Sequence, residues 1–120
     1  MASKPMLRSL KVLRENDWQC AVVERWKPVF DKKTRQLRPF GVRVDAFGFG
    51  DILAYSATRK QIALIQTTDA SSFSKRRLKT LALPELYGWK AAGGLVFLHG
   101  WGKQGPRGKR KTWTLKEEVL

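Results

Sequence analysis

The sequence is poor in cysteine and histidine, and it has no long hydrophobic run. A single cysteine, Cys20, excludes an internal disulfide, which fits a reducing compartment; we expect a small buried side chain there and not a catalytic thiol. With His99 as the only histidine, we expect neither a histidine-based triad nor a zinc cluster, and we place this residue near the surface at a strand end. The longest apolar runs span a few residues, far short of the roughly 20 that cross a membrane. The amino-terminal segment also lacks the apolar core of a signal peptide, so we expect a cytoplasmic (intracellular) protein without a membrane partner.

Acidic residues are scarce relative to basic ones. The chain has 24 lysines and arginines against 10 aspartates and glutamates, which leaves a formal charge of +14 on 120 residues. A field of this sign and size attracts polyanions, so nucleic acid is the expected partner. A ribosome-associated protein or a generally basic, solvated surface are the alternatives. The length and the 42% apolar content predict one folded domain over residues 1–120.

The first half of the chain has one helical pattern followed by segments with strand character. Apolar residues recur with helical spacing at 3–15, where Ser3 is a plausible N-cap and Pro5 lies in the first turn. Residues 18–26 are rich in aromatic and β-branched side chains, which predicts a strand. Residues 27–39 contain two prolines and several cations without a sustained period, which predicts a basic loop.

The second half predicts a buried hairpin, a helical crossover and two further strands. Strands are expected at 51–55 and 61–67, and the nearly continuous apolar character of the second predicts burial on both faces. A helix should follow from about residue 73 and end at Pro84, with a second short helix after it. We expect a strand at 95–99, parallel to the one at 61–67, because a helical crossover connects them. The predicted remainder is a basic loop (102–111), a short strand (112–115) and a frayed tail (116–120).

Polar side chains gather at one end of the apolar hairpin formed by residues 47–68. Asp51 opens the first strand after a glycine-rich approach, and Gln66 and Thr68, which face the same way, close the second. Polar groups at one end of an otherwise apolar hairpin indicate a functional site.

This order of elements resembles the PD-(D/E)XK nuclease superfamily and, within it, the archaeal-type Holliday-junction resolvases. The similarity covers about residues 7–101, where Asp51 occupies the position of the metal-binding aspartate and residues 66–68 that of the acid-x-Lys tripeptide, in the stretch GDILAYSATRKQIALIQTT. The resemblance implies a restriction-endonuclease-like α/β fold, with an αβββαβ core and a mixed central sheet flanked by helices. It also implies a Mg²⁺- or Mn²⁺-dependent, structure-selective DNA endonuclease that works as a homodimer.

Two departures from the motif bear on catalysis. Gln66 replaces the acid and would weaken metal binding, and Thr68 replaces the lysine and supplies no cation. Lys79 or Lys75, on the following helix, could supply the charge, and Glu15 could supply a carboxylate. Asp45 and Glu24 are further carboxylate candidates. The predicted catalytic residues are Asp51, Gln66, Thr68, Lys79 and Glu15, and the predicted metal ligands are Asp51, Gln66 and Glu15.

Basic residues in three segments are predicted to contact nucleic acid. They lie in the two basic loops and on the helix after the hairpin: Lys32, Lys33, Arg35, Arg38, Lys75, Arg76, Lys103, Arg107, Lys109, Arg110 and Lys111. Because no base-reading motif is recognisable, we expect recognition of DNA backbone and shape. Two other hypotheses stay open: a catalytically inactive relative that binds the DNA backbone, and a basic RNA-binding or ribosome-associated protein.

Overall fold

The computed structural model describes residues 3–120, apart from the side chains of residues 29, 31 and 37–40. Over this range the chain is an α/β protein with a mixed five-stranded sheet, a separate two-stranded sheet and three helices, which confirms the predicted fold class. The helices are α1 (Lys4–Glu15), α2 (Phe73–Leu81) and α3 (Pro84–Ala91), with a 3₁₀ turn at Ala70–Ser72. The strands are β1 (Gln19–Val22), β2 (Arg25–Asp31), β3 (Gln36–Val44), β4 (Ile52–Ser56), β5 (Gln61–Asp69), β6 (Leu95–Gln104) and β7 (Thr112–Val119).

The five-stranded sheet has the strand order β1-β4-β5-β6-β7. Strands β5 and β6 are parallel, and the other neighbouring pairs are antiparallel. The parallel pair follows from the helical crossover through α2 and α3, as predicted, since parallel neighbours need a long connection. Pro84 occupies the first turn of α3 and separates it from α2, also as predicted. No helix within residues 3–120 has the length and apolar character needed to cross a membrane.

Helix α1 covers one face of the sheet, and α2 and α3 cover the other. Successive side chains of a strand point to opposite faces, so Ala63 and Ile65 pack toward α1 while Leu64 packs toward α3. The α1 side contains Met6, Leu10, Leu13, Trp18, Ile52, Ala54 and Phe97, and the α3 side contains Phe49, Leu86 and Val96. This alternation makes β5 a central strand buried on both faces.

Residues 27–39 are not a loop: they belong to a β-hairpin, formed by β2 and β3, that we call the arm. The arm pairs only within itself as a sheet of its own. The predicted single strand at 18–26 divides after β1, because the backbone N–H groups of Val23 and Glu24 both donate to the carbonyl oxygen of Asp51 (3.0 and 3.3 Å) and the chain then leaves the main sheet. The described side chains of this ribbon are mostly exposed, so its strands need no alternation of apolar and polar residues and carry no strand signal in the sequence.

The predicted loop at 102–111 and the frayed tail at 116–120 are also wrong. Strand β6 continues to Gln104, and β7 pairs with it antiparallel from Thr112 to Val119. The true loop is therefore residues 105–111. The extension of β6 pairs with a solvent-exposed strand, so neither needs a run of apolar residues.

The protein is more extended than its length requires. Its radius of gyration is 16.4 Å and its extents are 53 × 42 × 25 Å, whereas a compact domain of this length has a radius of about 14 Å.

His99 is fully buried and not at the surface, which corrects the prediction. Its Nδ1 lies 2.8 Å from Ser9 Oγ on α1, and its Nε2 lies 2.7 Å from Glu117 Oε2 on β7. Trp101 Nε1 also donates to Ser9 Oγ (2.9 Å), so the hydroxyl proton of Ser9 is free to point at Nδ1. Ser9 and His99 are both 0% exposed, so this chain of hydrogen bonds fastens α1 to the sheet and does not form a substrate site.

The buried imidazole makes stability depend on pH. Burial lowers the pKa of His99 from 6.5, against the opposing hydrogen bond and charge of Glu117. As the pH falls through about 6.5, His99 becomes protonated in the unfolded chain but not in the folded protein. The contribution of the neutral, buried His99 to the free energy of unfolding is therefore present above that pH and is lost as the pH falls. We expect the difference in free energy of unfolding between wild type and His99→Gln to shrink on acidification, by at most about 1.4 kcal/mol per pH unit. Urea denaturation of both proteins from neutral to mildly acidic pH measures this, and a constant difference would contradict it.

Candidate functional site

A polar pocket of about 470 Å³ lies at the edge of the sheet where β5 ends and β4 begins. The amino-terminal end of α1 contributes Ser3 and Pro5, and the end of β5 contributes Thr67, Thr68 and Asp69. Its other charged residues are Glu24, Arg43, Asp45, Asp51, Arg76 and Lys79. The base of the arm, the main sheet and α2 therefore all meet at this one pocket.

Asp51 is fixed at the centre of this junction. It immediately precedes β4, is only 6% exposed, and accepts hydrogen bonds at Oδ2 from the backbone N–H (2.8 Å) and Oγ1 (3.2 Å) of Thr67. Its own backbone N–H donates to Ile65 at 2.9 Å. These bonds hold the carboxylate against the end of β5 and leave Oδ1 without a bond to Thr67.

Glu24 and Asp45 join Asp51 in a carboxylate cluster. One oxygen from each of the three lies within 4.8 Å of the other two. Glu24 occupies the point where the chain leaves β1 for the arm, and Asp45 follows β3 where it returns. The two ends of the arm thus carry the second and third carboxylates to Asp51.

Burial and crowding hold Asp51 in an unusual protonation state. Desolvation, a hydrogen bond with Asp45 and the charges of Asp45 and Glu24 raise the pKa of Asp51 to about 8, although the Thr67 N–H opposes the change. The carboxyl of Asp51 is therefore largely protonated at neutral pH when nothing compensates the charge.

Cations face the carboxylate cluster from two sides of the pocket. Nε of Arg43, on β3, lies 3.9 Å from Oε1 of Glu24, and Arg76 and Lys79 line the pocket from α2. Arg76 and Lys79 also line an adjoining groove with Ser72 and Lys75. The pocket thus combines a carboxylate cluster with basic side chains, and Lys79, the predicted source of a positive charge, is one of them.

Gln66 points away from the pocket. It is 2% exposed, and its Oε1 accepts a hydrogen bond of 2.6 Å from Thr80 on α2. That bond occupies the oxygen that a metal ion would need, so the arrangement argues against Gln66 as a ligand. Thr68, by contrast, lines the pocket and is 7% exposed.

Glu15, which was predicted as a ligand, does not line the pocket. It ends α1, whereas Ser3 and Pro5 line the pocket at the opposite end of that helix. Ten residues of α-helix separate Pro5 from Glu15 by about 15 Å. The carboxylates that do lie beside Asp51 are those of Glu24 and Asp45.

Of the predicted nucleic-acid contacts, Arg76 lines the pocket and Lys75 lines the adjoining groove, and the others lie on the arm, on β6 and in the loop after it. Lys32, Lys33 and Arg35 are exposed on the arm, and the side chain of Arg38 lies outside the described residues. Because β5 and β6 are parallel, β6 ends at the same edge as the pocket. It carries Lys103 and leads into the exposed loop residues Arg107, Lys109, Arg110 and Lys111.

Three polar pocket residues, Arg43, Thr67 and Asp69, are not among the site residues predicted from the sequence. The alternation along β5, which turns Thr67 away from Gln66 and Thr68, was the available signal for its separate role.

Comparison of the chain with models of known protein families, with curated proteins and with solved structures finds no match. The argument for a function therefore depends on the pocket and its surroundings.

Ionisation of the buried Asp51 should lower the free energy of unfolding, and Asp51→Asn should remove that loss. Between pH 3.8 and about 8 the folded protein retains a proton that the unfolded chain has lost, so the wild type loses stability relative to the variant as the pH rises. We expect Asp51→Asn to be more stable than wild type at pH 8 by at least about 1 kcal/mol, with the advantage shrinking toward pH 4. Thermal denaturation in the presence of EDTA measures this difference. An advantage of equal size at both pH values would contradict the proposed origin.

Proposed function

We propose that this chain is a DNA endonuclease of nuclease-like fold. It would bind DNA and hydrolyse phosphodiester bonds with the help of Mg²⁺ or Mn²⁺. The observation that carries the proposal is the cluster of Glu24, Asp45 and Asp51 within 4.8 Å, in a pocket that also holds Arg43, Arg76 and Lys79. Three carboxylates beside three cations suit a site that holds a metal ion together with a phosphate.

The donor set fits a hard divalent cation. Mg²⁺ and Mn²⁺ prefer carboxylate oxygens, and Glu24, Asp45 and Asp51 would hold the ion. Desolvation chiefly, with the hydrogen bond and charge of Asp45 and the charge of Glu24, raises the pKa of Asp51, and a divalent cation would favour the ionised carboxylate against these effects. When bound, such an ion supplies polarisation of the scissile phosphate and a more acidic water molecule.

The basic and hydroxyl side chains of the pocket would have different roles. Lys79 and Arg76 would bind the phosphate oxygens from the α2 side and stabilise the negative charge that develops on them. Thr67 keeps the Asp51 carboxylate in a fixed orientation through two hydrogen bonds. Thr68 offers a hydroxyl to the pocket, and Lys79 takes the place of the lysine that residue 68 lacks.

Recognition would depend on the DNA backbone. The arm begins and ends at the pocket, and the loop of residues 105–111 projects from the same sheet edge. Cations on both would contact phosphates on either side of the pocket, and the charge of +14 would strengthen the attraction. A homodimer, as the resemblance implies, would present two such sites to two strands.

Cleavage should require both the metal ion and Asp51. With labelled linear, single-stranded and four-way-junction DNA, we expect cleavage in Mg²⁺ or Mn²⁺ and none in EDTA. Asp51→Asn and Asp45→Asn should each lower the rate by at least about 100-fold, because each removes a charged ligand. Gel electrophoresis of the products under single-turnover conditions measures the rates.

Glu15→Gln is the matched control, since it removes a carboxylate remote from the pocket and should cleave like wild type. Salt-sensitive binding without cleavage in any metal would instead favour an inactive DNA-binding relative. That alternative has its own support in Gln66 and Thr68, which replace the charged residues of the motif. Binding of RNA in preference to every DNA would contradict both.

The loop of residues 105–111 should account for part of the salt dependence of binding. Replacing Lys109, Arg110 and Lys111 together by alanine should reduce the slope of log affinity against log salt by about 2 to 3, because each phosphate contact contributes about 0.9. The control is Arg14→Ala/Arg59→Ala/Lys60→Ala, which removes equal charge at the opposite end of the sheet. Fluorescence anisotropy over a salt series measures the slopes. Equal slopes for the two triple variants would show that the loop has no special role.

A further inference from the structure

Trp26, on the arm, is the most exposed of the five tryptophans, with 62% of its surface accessible. Trp18 and Trp101 are buried in the core, and Trp113, which is 46% exposed, already has the Arg8 guanidinium 3.6 Å and the Lys103 ammonium 5.4 Å from its ring centroid. The pocket chemistry described above makes no use of Trp26.

Gly41 gives the Trp26 indole a defined seat. A Cβ built on Gly41 would lie 2.7 Å from Nε1 and Cε2 of the indole, and 2.6 Å from the carbonyl oxygen of Lys27. The indole therefore rests directly on the backbone of the facing strand, which only glycine allows. A ring supported on one side and open to solvent on the rest is pre-organised for stacking.

The Trp26 indole lies on the face of the arm that leads to the carboxylates of Glu24 and Asp45. Trp26 pairs directly with Arg43, so their side chains share one face of the ribbon. Strand alternation carries that face onward to Glu24 and Asp45, each two residues away and so about 7 Å along the chain. A nucleotide whose phosphate occupies the pocket can thus bring its own base, or a neighbouring one, onto Trp26.

The charge of the arm selects the occupant. Arg43 shares the face of Trp26, Arg25 and Lys27 flank Trp26 on the opposite face, and Lys32 and Arg35 are exposed farther along the arm. A ribbon this basic suits a polyanionic strand better than an apolar protein surface. In an intact duplex the bases are already stacked on one another, whereas unpaired bases can stack on an aromatic side chain.

We propose that Trp26 is a stacking platform for an unpaired base, so that the site takes DNA with unpaired bases next to the phosphate in the pocket. This inference rests on the proposed function and adds the class of substrate. Trp26 is a specificity-determining residue in this view, distinct from the carboxylates and cations that act on the phosphate.

Binding to three labelled probes of matched length tests the proposal: a single strand, a perfect duplex, and a duplex with a central unpaired bubble. By anisotropy in EDTA, Trp26→Ala should lose about 5- to 100-fold in affinity for the single strand and the bubble, and less than about twofold for the duplex. Trp26→Phe should retain most of the affinity, since it keeps an aromatic face. Tyr55→Ala, which removes an aromatic residue 55% exposed on β4, is the control and should match wild type.

A 2-aminopurine base in the single strand reports stacking directly. Its fluorescence should be quenched on binding to wild type and Trp26→Phe, and much less on binding to Trp26→Leu, which keeps an apolar side chain without a ring.

Some results would overturn this inference and leave the proposed function standing. They are an equal loss of affinity by Trp26→Ala for duplex and unpaired DNA, or no loss of affinity for any probe while wild type still binds DNA. A change in sedimentation mass on Trp26→Ala, without a change in preference among the probes, would assign the residue to self-association and also overturn it. Failure of wild type to bind any of the three probes would remove the proposed function as well.

Discussion

The hydrogen bonds of Asp51 are the constraint on which the rest of the structure depends. Its carbonyl oxygen receives the N–H groups of Val23 and Glu24, and its own N–H bonds to Ile65. Its carboxylate receives two bonds from Thr67. One residue therefore ends the pairing of β1, directs the chain into the arm, starts β4 and registers it against β5. The same bonds that fix the fold also aim the carboxylate into the pocket, so the site cannot be separated from the scaffold.

This arrangement has an electrostatic cost that the fold tolerates. Two further carboxylates approach a residue that is 6% exposed, and the pKa of Asp51 rises to about 8 as a result. In a chain with only ten acidic residues, three of them in one cluster cannot be attributed to a uniformly acidic surface. Structures hold like charges together where function requires it, and stability generally improves when such groups are neutralised.

The sequence predicted those parts of the fold that bury apolar residues on a regular period. The continuous apolar run before Gln66 identified β5 as central, and the helical segment after it implied the parallel partner β6. The arm was missed because a solvated ribbon imposes no period on residues 27–39. His99 was misplaced because its partner Ser9 lies 90 residues away and only tertiary structure brings them together. Asp51 was found in the candidate site from its position at a strand entry. Glu24 and Asp45 were only candidates, because their convergence depends on how the arm leaves and rejoins the sheet.

An amide suits residue 66 on structural grounds. The residue is 2% exposed, and its side chain lies against α2, where Thr80 donates to its Oε1. A glutamate at this position would bury a charge with strong desolvation and little to compensate it. A neutral amide keeps the hydrogen bond to Thr80 without that penalty. Glu24 and Asp45 reach the pocket from the two ends of the arm, and the amide at residue 66 packs α2 against the sheet. Three carboxylates carried on separate segments converge only through the fold, so no single stretch of the sequence could show the cluster.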